Sequence, residues 1–187
     1  MHDIKKDMRN KMLEIRKKIE MPIKKQKDEK IAQSFTEFLK IKNIRSIILY
    51  ASFGSEVDTW KIFKYCQENS IKTAFPKVNK EKGSLEFYWV RSIEQLSPGF
   101  RSILEPYNCE KALIHDIDAI AVPGVAFDKD CYRIGYGGGF YDRVLTDKKP
   151  ISIGLAYEEQ IVERIPREAQ DKKVDLIITD ERIISCV

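Results

Sequence analysis

Short, β-branched apolar runs alternate with longer amphipathic segments along most of this chain. Ser46–Ala51 (SIILYA), Asp118–Val122 (DAIAV), Ile151–Leu155 and Val174–Thr179 are apolar at consecutive positions. Strands of that kind are buried on both faces, as in parallel sheets covered by crossover segments. Lys72–Phe75 reads as a further strand that Pro76 should end. Leu85–Val90 (LEFYWV) places Leu85, Phe87 and Trp89 on one face, the period-two pattern of a strand between unlike environments. Between the strands lie helical periods. In residues 3–20, Ile4, Met8, Met12, Ile15 and Ile19 recur at spacings of three and four. Pro22 interrupts that period, and residues 24–40 resume it with Ile31, Phe35, Phe38 and Leu39 inward. Residues 58–69 and Phe140–Thr146 also read as helical. The sum is an α/β protein, a three-layer α/β/α sandwich on a mostly parallel sheet. Segment 93–116, broken by Pro98, Gly99 and Pro106, reads as turns.

At 187 residues the chain suits a single domain spanning 1–187. With 43% hydrophobic and 33% charged residues it can fill a core and solvate its surface, which excludes global disorder. No apolar run has the length of a membrane span. The charged opening MHDIKKDMRNKM lacks the apolar stretch of a secretory signal, so the expected location is cytoplasmic. Cys66, Cys109, Cys131 and Cys186 share no C-x-x-C spacing, and His2 and His115 are the only histidines. Reduced thiols scattered through the fold are therefore expected, with few ligands for zinc.

Charge is uneven. Residues 1–30 hold 11 Lys and Arg against 6 Asp and Glu, while the rest of the chain is nearly neutral. A basic opening segment suits an anionic partner: nucleic acid, or a phosphorylated or polycarboxylate small molecule.

The most informative segment is 133–143, RIGYGGGFYDR. Four of the nine glycines, Gly135, Gly137, Gly138 and Gly139, fall within five residues, between a predicted buried strand and a predicted helix. Backbone without side chains approaches a ligand closely, and its amides can converge on phosphate oxygens beside a helix N-terminus. Arg133 and Arg143 bracket the loop. Neither common phosphate motif fits. No Gly-Lys pair occurs, which excludes G-x-x-x-x-G-K-[ST], and Phe140 stands where G-x-G-x-x-G needs its third glycine.

The wider segment 123–145, PGVAFDKDCYRIGYGGGFYDRVL, resembles the signature of the 5-formyltetrahydrofolate cyclo-ligase family. Further similarities are Lys5 and Arg9 four residues apart, Ser52–Thr59 (SFGSEVDT) around Glu56, Pro76–Lys77, and Lys173–Asp175. The resemblance implies the fold of the sugar-phosphate isomerase and CoA-transferase-like group. It also implies a monomeric ATP- and Mg²⁺-dependent enzyme that turns 5-formyltetrahydrofolate, with or without a polyglutamate tail, into 5,10-methenyltetrahydrofolate, ADP and phosphate.

By the same resemblance, ATP meets Lys5, Arg9, Arg133, Gly135, Tyr136, Gly137, Gly138, Gly139, Phe140 and Tyr141. Tyr141 and Arg133 take the catalytic roles. Phe53, Glu56 and Tyr141 face the folate, with Glu56 accepting from paired N–H donors of the heterocycle. Asp142 and Asp175 are the Mg²⁺ ligands. Lys77 is a candidate for the glutamate tail. Where many relatives carry Arg or Lys in the loop, this chain has Tyr136 and Gly138, which gives Lys5 and Arg9 more of the phosphate charge to meet. Such chemistry needs positioning, a metal and cations more than a protein nucleophile, and no Ser-His-Asp or Cys-His pattern is present. Two other readings stand beside it: a sugar-phosphate-handling protein without ATP, and a nucleic-acid-binding module using the basic opening. The latter lacks any accompanying aromatic-and-basic motif.

Overall fold

The computed structural model describes residues 2–145 and 150–186. In chain order the helices are α1 (His2–Lys17), α2 (Met21–Ile41), α3 (Trp60–Glu68) and α4 (Phe140–Val144). The strands are β1 (Ser46–Ile48), β2 (Lys72–Asn79), β3 (Ser84–Trp89), β4 (Leu96–Pro98), β5 (Leu104–Pro106), β6 (Lys111–Ala112), β7 (Ala119–Val122), β8 (Ala126–Asp128), β9 (Arg133–Ile134), β10 (Ile151–Leu155), β11 (Ile161–Val162), β12 (Leu176–Ile178) and β13 (Ile183–Ser185). The helix read over Phe140–Thr146 is observed to Val144; Thr146 lies outside the described residues.

One eight-stranded sheet in the order β13-β12-β10-β7-β1-β2-β3-β6 organises the molecule. The five central strands are parallel, and β13, β3 and β6 close the edges antiparallel. The apolar runs alternate between two cores. Ile47, Leu49, Ala119, Ala121, Ile153 and Ile178 pack against Ile31, Phe35 and Leu39 of α2 and Ile62 and Phe63 of α3. Ile48, Ile120, Val122 and Ile177 face the other way, onto Phe127, Val174 and Leu145 with Tyr141 and Val144 of α4. The fold is therefore α/β on a mostly parallel sheet covered on both faces, as expected. A small sheet, β11-β8-β9, carries α1 through Met12, Val125, Ala126, Ile134 and Ile165.

Two local expectations need correction. Pro76 does not end β2, which runs on to Asn79 paired with β3. Ala74 and Val78 turn their backbone groups away from β3, toward Leu49 and the Glu105 side chain, so Pro76 between them faces the same side. The β1 pairing stops at Ala74, so the missing proline N–H breaks no ladder bond. Pro22 sits in the first turn of α2, where its N–H would be unpaired in any case. Segment 93–116 is more ordered than a run of turns: β4 and β5 pair with each other, and β6 joins the main sheet.

The cysteines are a third correction. Cys131 and Cys186 form a disulfide, with Cα atoms 6.1 Å apart across 55 residues of sequence. Residues 174–175 bring them together: Val174 N donates to Cys131 O, and Cys186 N donates to Asp175 O. No spacing in the sequence signals a contact made through a third segment. Cys66 and Cys109 are free, the first buried and the second half-buried.

Candidate active site

The loop after β1 and the loops after β7 emerge at the carboxyl ends of parallel neighbours. Open α/β sheets place their ligands there. α1 lies across these loops, and its Arg9 and Arg16 reach them.

The glycine loop has the backbone its composition calls for. Gly137 has φ +100° and Gly139 has φ +61°, a region costly to other residues, and a Cβ on Gly138 would meet the Phe140 ring at 2.8 Å. Arg9 Nε donates to Gly135 O at 2.7 Å, and its guanidinium lies 3.7 Å from where a Gly137 Cβ would stand. Arg143 donates to Gly138 O at 2.9 Å and to Gly83 O at 2.7 Å, tying the loop to the β2–β3 hairpin. Phe140 meets Phe100 edge to face, with ring centroids 6.4 Å apart. Two guanidiniums and a bare backbone make a cradle that fits a polyphosphate.

Other residues carried from the resemblance fall in different places. Lys5 is held by Asp171 and Glu168 at 2.5 and 3.2 Å, so its charge is already matched by carboxylates. Arg133 is buried; it donates to Lys172 O at 2.8 Å and to Asp142 Oδ1 at 3.0 Å. That makes it an internal anchor of the loop. Asp142 Oδ1 also accepts from Lys172 N at 3.1 Å. Tyr141 packs its ring beneath the loop against the second core, and burial pushes its phenol well up. Asp175 is not drawn to Asp142. It sits at the amino end of β12, where its Oδ2 accepts from Ser152 N and Oγ, both at 2.7 Å. Among the described residues no group of three or more His, Cys, Asp or Glu gathers at one point. A single carboxylate supplemented by phosphate oxygens and water suits Mg²⁺, and Asp142 at the edge of the cradle fits that use. Lys77 donates to Pro106 O at 3.2 Å.

The second half of the site surrounds Glu56. Its carboxylate is buried and accepts from Phe53 N at 3.1 Å. Burial pushes it up from 4.5 to about 6, against the pull of the Phe53 amide, Arg16, Tyr136 and Lys24. Phe53 is exposed and lies 5.8 Å from the Tyr136 ring. Beside them opens a cleft of about 670 Å³ lined by Met21, Pro22, Lys24, Asp28, Phe53, Glu56 and Trp60. Apolar and aromatic side chains around the buried Glu56 and Asp28 carboxylates give the cleft the chemistry to take a flat heterocycle with N–H donors.

Three participants escaped the sequence reading. Arg16 is almost fully buried, with Nε on Ser55 Oγ at 3.0 Å, Nη1 on Gly124 O at 3.2 Å and Nη2 on Tyr136 Oη at 2.6 Å. Tyr157 donates to Asp28 Oδ1 at 2.6 Å, and Asp28 Oδ1 also accepts from Asp58 N at 3.0 Å. These bonds fix the loop around Glu56 from below. The signal for Arg16 was its spacing, seven residues beyond Arg9 on the stripe that carries Met12.

A mostly parallel sheet covered on both faces, with a glycine-rich loop and an adjoining cleft at the carboxyl ends of its strands, is the architecture of an α/β enzyme. The comparisons give the particular family. The family model for the 5-formyltetrahydrofolate cyclo-ligase family matches residues 2–180. The 5-formyltetrahydrofolate cyclo-ligase of Mycoplasma pneumoniae is 32% identical over 182 residues, covering 95% of this chain and 99% of the relative. That of Haemophilus influenzae is 31% identical over 152 residues, covering 78% and 81%. The solved 5,10-methenyltetrahydrofolate synthetase of Aquifex aeolicus superposes with a TM-score of 0.87 at 33% identity, covering 98% of this chain and 93% of that one. The chain belongs to the 5-formyltetrahydrofolate cyclo-ligase family.

Proposed function

We propose that the protein converts 5-formyltetrahydrofolate to 5,10-methenyltetrahydrofolate, using ATP with Mg²⁺ and releasing ADP and phosphate. The observation that carries the reading is the adjacency of the two half-sites: Tyr136 belongs to the glycine loop, yet its ring stands 5.8 Å from Phe53 beside Glu56. A phosphoryl donor in the cradle and a heterocycle in the cleft would meet at that seam.

The formyl oxygen attacks the γ-phosphorus, and the bond to the ADP oxygen breaks. The second folate nitrogen then closes on the activated carbon and gives up its N–H proton to the solvent, and the oxygen leaves as phosphate. Both nucleophiles come from the substrate, so the chain's part is to orient and to neutralise. Arg9 and Arg143 face the phosphates with the amides of Gly137, Gly138 and Gly139. Mg²⁺, when bound, would offset phosphate charge, and Asp142 would hold it. Arg133 keeps Asp142 and the loop in register. Glu56 accepts the N–H donors of the heterocycle against the Phe53 ring. Lys5 stays with Asp171 and Glu168 and braces α1, leaving the phosphate charge to the arginines.

The test is spectrophotometric. Protein, MgATP and 5-formyltetrahydrofolate should give the absorbance rise of the methenyl product, lost when either ATP or metal is withheld. Asp142→Asn keeps an oxygen for Arg133 but removes the negative charge. It is expected to lower turnover at least a hundredfold and to raise the Mg²⁺ requirement, with an unchanged circular dichroism spectrum. Full activity at ordinary Mg²⁺ would remove Asp142 from the metal role. A sugar-phosphate reading without ATP predicts no rise at all.

A further inference from the structure

Cys131 lies in the turn between β8 and β9, two residues before Arg133, and Cys186 follows β13 at the edge of the main sheet. Their disulfide joins the root of the glycine loop to the last strand. Residues 172–175 run between the two cysteines. Val174 N donates to Cys131 O at 3.0 Å, Cys186 N to Asp175 O at 3.1 Å, and Lys173 Nζ to Cys186 O at 3.0 Å. Next to them, Lys172 O accepts from Arg133 at 2.8 Å, and Lys172 N donates to Asp142 Oδ1 at 3.1 Å. Residues 172–175 belong to no strand, so their hold on Arg133 and Asp142 depends on what pins them at either side. The two sulfurs differ in access. Cys131 is fully buried, whereas Cys186 is half-buried beyond an edge strand that pairs with β12 alone and leaves Ile183 exposed.

We propose that the Cys131–Cys186 cystine is a thiol–disulfide exchange site whose state sets how firmly residues 172–175 hold Arg133 and Asp142, and through them how well the glycine loop takes ATP. The proposal rests on the function given above and adds a control to it. The reactant is a dithiol. Its thiolate attacks the accessible Cys186 sulfur, the Cys131–Cys186 bond breaks, and Cys131 leaves as a thiolate that takes up a proton. The dithiol's second sulfur then displaces Cys186, which also ends as a thiol. The cystine is reduced by two electrons, the dithiol is oxidised to a disulfide, and two protons pass from one to the other. After reduction Cys186 is kept in place only by two hydrogen bonds and an edge strand, the kind of contact that opens locally. Val174 then has one clamp fewer, and Lys172 beside it is freer to leave Arg133 and Asp142. In a reducing compartment a link of this kind is broken and remade, which is the behaviour of a switch and not of a permanent brace.

The test compares oxidised wild type, wild type reduced with dithiothreitol, and Cys186→Ser, which opens the link at its half-buried end. Reduction is expected to raise KM for ATP about fivefold, the lower end of ordinary coupling between sites. KM for 5-formyltetrahydrofolate should stay within about twofold, since the Glu56 cleft lies on other loops. Cys186→Ser should match the reduced protein and ignore dithiothreitol, and glutathione disulfide should restore the oxidised values in wild type alone. Backbone hydrogen exchange without nucleotide gives a second readout, independent of turnover. Residues 172–175 and 133–143 should exchange faster in the reduced protein and in the variant, while α2 and α3 stay as they were. A wild type that turns over with the same KM for ATP in both redox states overturns this inference alone. So does an equal rise in both KM values, which would be general loosening. A wild type that forms no methenyl product overturns the function, and hydrogen exchange then decides the coupling by itself: equal exchange in the two redox states overturns it, and faster exchange confined to the two segments upholds it.

Discussion

Glu56 shows what a single residue costs and supplies. It is buried among apolar and aromatic groups, and its carboxyl titrates near 6, above the ordinary 4.5. A carboxyl raised in the folded state favours folding when protonated. That contribution is complete below about pH 4.5, fades as pH rises through 6, and leaves a burial penalty at neutral pH. Glu56→Gln removes the penalty and keeps an acceptor for Phe53 N. Denaturant titration at pH 8 should show a gain of about 2 kcal/mol over wild type, vanishing near pH 4. The same variant should lose folate turnover, the usual exchange of stability for function at a strained site. Equal stability of the two proteins at pH 8 would mean that Glu56 is solvated.

At the scale of elements, the glycines divide into two kinds. Gly137 and Gly139 are needed for positive φ at the cradle. Gly154, in β10, is needed for space, because a Cβ there would meet Phe127 Cε1 at 2.5 Å. Phe127 lies in β8, below the loop, and also packs over Gly124. Gly154→Ala must therefore push a fully buried ring toward Gly124, whose carbonyl accepts from Arg16 and Gln160. A loss of about 1–3 kcal/mol in thermal or chemical unfolding is expected, with raised KM values as the loops above shift. A stability equal to wild type would show that Phe127 has room to turn. The strands were legible because runs such as AIAV and LII must be buried on both faces. β8, β9 and β11 were not legible, since each is two or three residues long and, unlike β1 and β12, does not sit in a longer β-branched run. The passage of β2 through Pro76 was invisible for another reason: a proline is tolerated only where its neighbour strand has already ended, and pairing lengths are not written in sequence.

Over the whole molecule, the Cys131–Cys186 link closes the chain's last strand onto the segment that leads into the glycine loop. Residues 172–175 lie between them, and Lys172 there holds both Arg133 and Asp142. Thiol titration of unfolded, unreduced protein should find the two free cysteines, Cys66 and Cys109. In the folded protein Cys66 should react slowly, being buried with its thiol pushed up to about 12. Reduction should lower stability by about 2–4 kcal/mol, the range for a loop of this length. Four titratable thiols before any reductant would disprove the link.

Sequence by itself determined the class of fold, the family and the place of the glycine-rich loop between a strand and a helix. Apolar runs must be buried on both faces, and a dense glycine segment beside arginines has few uses. The family resemblance named Glu56, Arg9 and Asp142 as site residues. Tertiary structure alone decided how those residues are spent. Lys5 turned to Asp171 and Glu168, Arg133 to Asp142, and Asp175 to the far end of β10. It also brought Arg16 to Ser55 and to Tyr136, across 39 and 120 positions of sequence. The physical reason is that a side chain's type fixes what it can bond, whereas its partner depends on which loops the sheet order brings together.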